Sequence, residues 1–151
     1  MRIVVQRVIG AGLGVVEGGS EREHARIGVG LVALVGVETG DTERDAAWAA
    51  DKLAHLRVFE DEAGKMNLSA LDVGGSVLLV PNFTVAGTAR KGRRPSFDGA
   101  MAPPGAEPLL GAVRDRLRGL GVPVETGVFG AHMRVRIEND GPVTIWLDSR
   151  G

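Results

Sequence analysis

From Arg2 to Val8 apolar and mixed positions alternate, with Ile3 and Val5 on one side and Val4 and Gln6 on the other. A period of two predicts a strand. A weaker strand is expected from Gly12 to Glu17, and Gly18-Gly19 then predicts a tight hairpin turn into Glu21–Ile27. Leu31 to Val37 is almost wholly apolar and rich in valine, the pattern of a strand covered on both faces. At Gly40-Asp41-Thr42 the period changes. Asp41 or Thr42 suits an N-cap, and Ala46, Ala49, Ala50, Leu53 and Leu56 recur at helical spacing. Ser76 to Val80 predicts another strand, interrupted by Pro81. A second helix follows Pro103-Pro104, with Leu109, Leu110, Val113, Leu117 and Leu120 as its apolar stripe and Gly119 or Gly121 as its cap. Two alternating segments close the chain, Met133 to Glu138 and Val143 to Asp148. The sum is one mixed α/β (α+β) domain over residues 1–151, with about eight strands and two main helices.

Length and composition narrow the functional classes. A chain of 151 residues with 44% hydrophobic and 25% charged positions can bury one substantial core. No apolar run approaches the roughly 18 residues a membrane helix needs. The N-terminal run returns to charge at Arg7, too soon for a signal peptide, so the cytoplasm is the expected compartment and no membrane partner is expected. The absence of cysteine excludes disulfides, thiolate metal sites and cysteine nucleophiles. His24, His55 and His132 are far apart and have no ligand-spaced partners, so neither a metal nor another cofactor is expected. With a net charge of −1 and no tyrosine, a basic or aromatic nucleic-acid platform is disfavoured, and any contact with nucleic acid must come from a local patch.

Three local features carry chemistry. Asn82-Phe83-Thr84-Val85 follows the strand Ser76–Val80 and places a hydroxyl beside exposed backbone amides. It offers a nucleophile, or N–H donors for a developing oxyanion, or only a strand-to-loop junction. Arg90-Lys91-Gly92-Arg93-Arg94 is the one dense basic cluster, suited to phosphates or equally to solvent. Asn139-Asp140-Gly141-Pro142-Val143-Thr144 joins the last two alternating segments, and its Gly-Pro pair reads as a turn.

Taken in this order, the three resemble the D-aminoacyl-tRNA deacylase family, and the resemblance extends over essentially the whole chain. Arg2 to Val8 is similar to the family's first strand. Lys65 to Ser69 with Asp72-Val73-Gly74-Gly75 is similar to its central section, and Arg90 to Phe97 to its basic loop. Glu125 to Ala131 with Met133 is similar to its pocket wall, and Asn139 to Thr144 to its Gly-Pro motif. The resemblance implies a curved, barrel-like sheet and a homodimer acting on the 3′ end of aminoacyl-tRNA. The Gly141-Pro142 bond is then cis and projects into the partner's pocket, where backbone excludes an L side chain and admits D-residues or glycine. Arg7 is similar to the arginine that braces this motif. Phe129, Gly130 and Met133 then form the pocket wall, and Asn82, Phe83 and Thr84 surround the scissile ester. Phe83 and Thr84 act there through their N–H groups, with assistance from the terminal ribose 2′-OH. Arg90, Lys91, Arg93 and Arg94 suit the tRNA phosphates.

The chain departs from the family pattern at Pro81-Asn82, where Ser-Gln is usual. Pro81 removes an N–H, and a sister branch that edits L-alanyl-tRNA also has proline there. Ile9-Gly10-Ala11-Gly12 replaces a more polar stretch in the first hairpin. Arg7 and the intact Asn139–Thr144 run favour the D-specific reading. The alternatives are the L-alanyl-tRNA deacylase, a non-catalytic dimeric RNA-binding module, and a hydrolase with Thr84 as its nucleophile.

Overall fold

A computed structural model describes residues 1–151. Eight strands and three helices follow in the order β1 (Arg2–Glu17), β2 (Ser20–Ile27), β3 (Gly30–Gly36), α1 (Glu43–His55), β4 (Phe59–Glu60), β5 (Met66–Leu68), α2 (Ala70–Val73), β6 (Ser76–Pro81), α3 (Pro103–Gly119), β7 (Val124–Thr126) and β8 (Met133–Asp148). A single 3₁₀ turn, Phe83–Ala86, lies between β6 and α3.

The two apolar faces of the sheet organise this architecture. Ile3, Val5, Leu31, Ala33, Val35, Val77 and Leu79 face α1 and α3, which pack on each other and bury Ala46, Ala49, Ala50, Leu53, Val113 and Leu117. Neighbouring residues of the same strands, Val32, Leu78 and Val80, face a second core with Val8, Leu13, Ala25 and Ile27. β3 is thus covered on both sides, as its unbroken apolar run requires. It pairs in parallel with β6, and β6 in parallel with β7. Thr42 caps α1, with reciprocal bonds to Asp45, and Gly121 ends α3 in the left-handed region at φ +97°. Gly119 lies inside α3 rather than capping it. No helix is long and apolar enough to cross a membrane.

Two expectations about strands are corrected. β1 is one strand of 16 residues, not two: Arg2–Val8 pairs with β3 and Ala11–Glu17 with β2, while β8 runs along its opposite edge. This curls the sheet into its barrel-like form. Within this long strand Gly14 allows a cross-strand contact. The Glu21 side chain passes over Gly14, where a Cβ would lie 2.5 Å from its Cγ, and accepts from Arg136 of β8 at 2.8 Å. The Arg136 guanidinium holds the Glu21 carboxyl below its ordinary range. Because this pair is exposed and its side chains can swing away, Gly14→Ala is expected to change stability by no more than about 1 kcal/mol. Urea denaturation of the two proteins checks this.

The final segments are likewise one strand. β8 pairs with β1 from Met133 to Asp148 without reversing direction, so Gly141-Pro142 is not a hairpin turn. Pro81 closes β6 rather than interrupting it. On the β7 side the last bond is donated by the Gly127 N–H to the Leu79 carbonyl at 2.9 Å, so Pro81, without an N–H, stands where that pairing stops. The short helix α2 is too short to show a helical period, but its local signal is present. Ser69 and Asp72 form a capping box, and Gly74 stops the helix at φ +67°.

A buried ionic knot ties the two ends of the chain together. The Met1 ammonium donates to Asp41 at 2.7 Å, to Glu38 at 3.3 Å and to the Ser149 hydroxyl at 2.8 Å. Arg150 reaches the same Asp41 oxygen at 2.8 Å. This knot fixes Arg2 and Asp148, the outer pair of the β1–β8 ladder, in register.

Candidate active site

Where β6 ends, the Asn82 N–H still donates to the Val35 carbonyl at 2.8 Å, and the chain then tightens into the 3₁₀ turn. The first bond of that turn runs from the Val85 N–H to the Asn82 carbonyl at 3.1 Å. The N–H groups of Phe83 and Thr84 precede it, at the end of the turn where donors have no acceptor within it. Phe83 is exposed, and its ring rests on Phe97 with centroids 4.8 Å apart.

Both rings border a cavity of about 700 Å³, mostly apolar, which Asn82, Phe129, Gly130 and Met133 also line. The cavity therefore joins the Asn82-Phe83 segment to the expected pocket wall, which comes from a later part of the chain. Gly127 permits this approach: a Cβ there would lie 2.8 Å from the Met133 sulfur and 3.2 Å from the Pro81 ring. Met133 is held in place by the Val128 N–H, which donates to its sulfur at 3.3 Å.

Thr84 is placed differently. Its side chain is exposed, does not line the cavity, and donates its hydroxyl proton to the Asn82 Oδ1. No histidine or carboxylate is hydrogen-bonded to that hydroxyl, so it lacks the base a nucleophile needs. Phe97 and His132 line the cavity but were not singled out in the sequence. For Phe97 the signal was its position at the end of the basic run. His132 had none, being one of three scattered histidines. No group of three or more potential metal-ligating side chains forms in the structure.

The basic cluster hangs beside this cavity. Thr88 and Ser96 bond reciprocally at 2.9 and 2.8 Å and close a loop that presents Arg90, Lys91, Arg93 and Arg94 to solvent. The chain then passes at once to Phe97 on the cavity wall.

Gly141 and Pro142 stand elsewhere. On β1, Gln6 pairs with Thr144 and Val8 with Asn139, so Asp140–Val143 all stand opposite the single residue Arg7. The result is a wide bulge with Gly141 and Pro142 exposed at its tip, joined by a cis peptide. The Arg7 guanidinium, itself buried, grips one side of the bulge. Its Nε donates to the Asp140 carbonyl at 3.0 Å and faces the Asp140 carboxylate at 3.2 Å, while Nη1 donates to the Val58 carbonyl at 2.7 Å. None of Arg7, Gly141 and Pro142 lines the cavity of its own chain.

The sequence pattern of the D-Tyr-tRNA(Tyr) deacylase family matches residues 4–148. The chain belongs to this family. Among curated relatives, a D-aminoacyl-tRNA deacylase of Thermomicrobium roseum is 58% identical over 149 residues, covering 99% of this chain and 94% of the relative. One of Neisseria meningitidis is 53% identical, covering 99% and 91%. Among solved structures, a c-Myc DNA unwinding element binding protein superposes with a TM-score of 0.89 at 38% identity, over 98% of each chain. A probable eukaryotic D-amino acid tRNA deacylase superposes with a TM-score of 0.79 over 97% of each, and at 19% identity it attests the fold alone. As a member of the deacylase family, the chain is an enzyme whose fold is the mixed α+β, barrel-like one expected from its sequence.

Proposed function

We propose that this chain hydrolyses the ester between a D-amino acid, or glycine, and the 3′ end of tRNA, and that it does so as a homodimer. Family membership supports the reaction class. The observation that carries the dimer is the separation within one chain of the cavity from the Gly141-Pro142 bulge. A second copy related by a two-fold axis can supply to each cavity what its own chain keeps outside. The bulge lies on β8, an edge strand that also exposes Trp146 and pairs with β1 alone, so a surface for that copy is present.

In this reading the terminal nucleoside lies against Phe83, Phe97 and Phe129. The ester carbonyl meets the Phe83 and Thr84 N–H groups, which stabilise negative charge on its oxygen as water adds to the carbonyl carbon. The bond to the ribose 3′ oxygen then breaks, and the neighbouring 2′-OH relays the proton, giving its own to that leaving oxygen and taking one from the added water. The partner's bulge carbonyls hold the substrate ammonium, and its backbone fills the space of an L side chain. Arg90, Lys91, Arg93 and Arg94 face the phosphates of the acceptor end. Asn82 serves by holding the Thr84 hydroxyl. The L-alanyl reading rests on Pro81, which closes β6 and also lines the cavity, whereas Arg7 and the Asn139–Thr144 bulge support the D-specific one.

The test is hydrolysis of matched D- and L-aminoacyl-tRNA and of glycyl-tRNA. Release from D- and glycyl-tRNA with L-tRNA intact is expected, and cleavage of L-alanyl-tRNA instead would move the chain to the sister activity. A backbone role for Thr84 further predicts that Thr84→Ala keeps its single-turnover rate within about tenfold of the parent. Loss of several orders of magnitude, as removal of a nucleophile produces, would contradict it.

A further inference from the structure

The bulge leaves its own neck to be closed. Four residues of β8 opposite one of β1 cannot all join the ladder, and two carbonyls flanking the excursion, those of Arg7 and Val143, are met by a side chain. The Asn139 Nδ2 donates to the Arg7 carbonyl at 2.9 Å and to the Val143 carbonyl at 3.1 Å. A primary amide carries two N–H donors, and here each has its own acceptor. One acceptor lies on β1 and the other on the returning limb of β8, so the amide bridges the neck from both sides. Because both acceptors are carbonyl oxygens, they fix which end of the amide is nitrogen. The remaining end lies beneath the tip: a Cβ on Gly141 would sit 3.0 Å from the Asn139 Oδ1. The side chain is half-buried and does not line the cavity of its own chain.

Resting on the reading that Gly141 and Pro142 complete the partner's cavity, we propose that Asn139 is a positioning residue for chiral selection. Its amide sets the height at which the Gly141-Pro142 tip stands above the sheet. Arg7 grips the outer limb through Asp140, and Asn139 pins the base. An exclusion made by backbone works only if that backbone cannot retreat, since the first atom to be excluded, the Cβ, is bonded directly to the α-carbon. Releasing the neck lets the tip settle toward the ladder, which opens room for an L-residue and weakens the hold on the D-residue's ammonium. The two effects move the D-to-L ratio in the same direction.

The experiment compares the parent with Asn139→Ala and with the isosteric Asn139→Asp, which keeps the shape but loses both donors and sets a carboxylate against two carbonyl oxygens. Matched D-, L- and glycyl-tRNA are assayed, each dimer is checked for its melting temperature, and side-chain amide exchange of Asn139 is followed by NMR in the unmodified protein. The expected result is a D-to-L ratio at least about tenfold lower in both variants, as misplacement of this order produces. Slow exchange of both Asn139 protons in the parent is expected with it. A purely structural role would slow all three substrates together and leave the ratio unchanged, which would overturn the proposal. A parent that shows no D preference defeats the underlying reading. A selective parent whose variants stay within twofold defeats the positioning role alone. If neither variant folds, free exchange of the Asn139 amide in the parent overturns the proposal and protection of both protons supports it.

Discussion

Alanine at Gly141 is expected to lower hydrolysis of D-aminoacyl-tRNA by about a hundredfold or more, with much less effect on stability. The added Cβ would lie 1.8 Å from the Val143 nitrogen and 3.1 Å from its Cα, so it conflicts with its own bulge before any substrate is present. The bulge must change shape, and its tip is the part assigned to the substrate's α-carbon. Because Gly141 and its neighbours are exposed, the reshaping does not open the core. Single-turnover rates with D-, L- and glycyl-tRNA, set beside a melting curve, check both halves of this expectation. Rates and selectivity within twofold of the parent would falsify the cross-subunit scheme.

The converse pattern is expected at Gly30, where alanine should destabilise the fold by roughly 3 kcal/mol or more, the upper range for forced overpacking. Gly30 is buried and opens the parallel register of β3 with β6, opposite Ser76. A Cβ at this position would lie 1.8 Å from the Ser76 carbonyl oxygen and 2.8 Å from its carbon and nitrogen. These are backbone atoms of a paired strand and cannot swing aside as the Glu21 side chain does at Gly14. Urea denaturation gives the difference directly. A loss under about 1 kcal/mol would mean that the two strands shift apart more easily than their pairing suggests.

Much of this fold is written locally. The alternation of Ile3 and Val5, the unbroken run at Leu31–Val37, the Thr42 cap and the stripe from Leu109 to Leu117 each specify an element through contacts within a few residues. What could not be read is which elements meet. Nothing in the alternation at Met133–Glu138 and Val143–Asp148 says that both segments lie on β1, and a Gly-Pro pair between two alternating runs suggests a turn to any local rule. Only the register against Gln6 and Val8 shows a bulge. β7, at three residues, is too short for a periodic signal and exists because β6 offers it an edge. The candidate site divides in the same way. Resemblance pointed to Asn82, Phe83, Phe129, Gly130 and Met133, which the fold does bring to one cavity. His132 enters that cavity only because β8 begins beside it, and the clasp formed by Asn139 depends on a carbonyl 132 residues away.

That distance sets an order of events during synthesis. β1 leaves the ribosome well before β8, yet along one whole edge it waits for that strand. Helices α1 and α3 and the β3–β6 pair can form while the chain is still tethered, whereas the bulge has no scaffold until residue 148 is free to pair with residue 2. Contacts this remote in sequence are the slow ones in folding. The loop assigned to telling one enantiomer from the other is therefore among the last parts of the molecule to take shape, and it stays unpaired on one side until Thr144–Asp148 join the ladder.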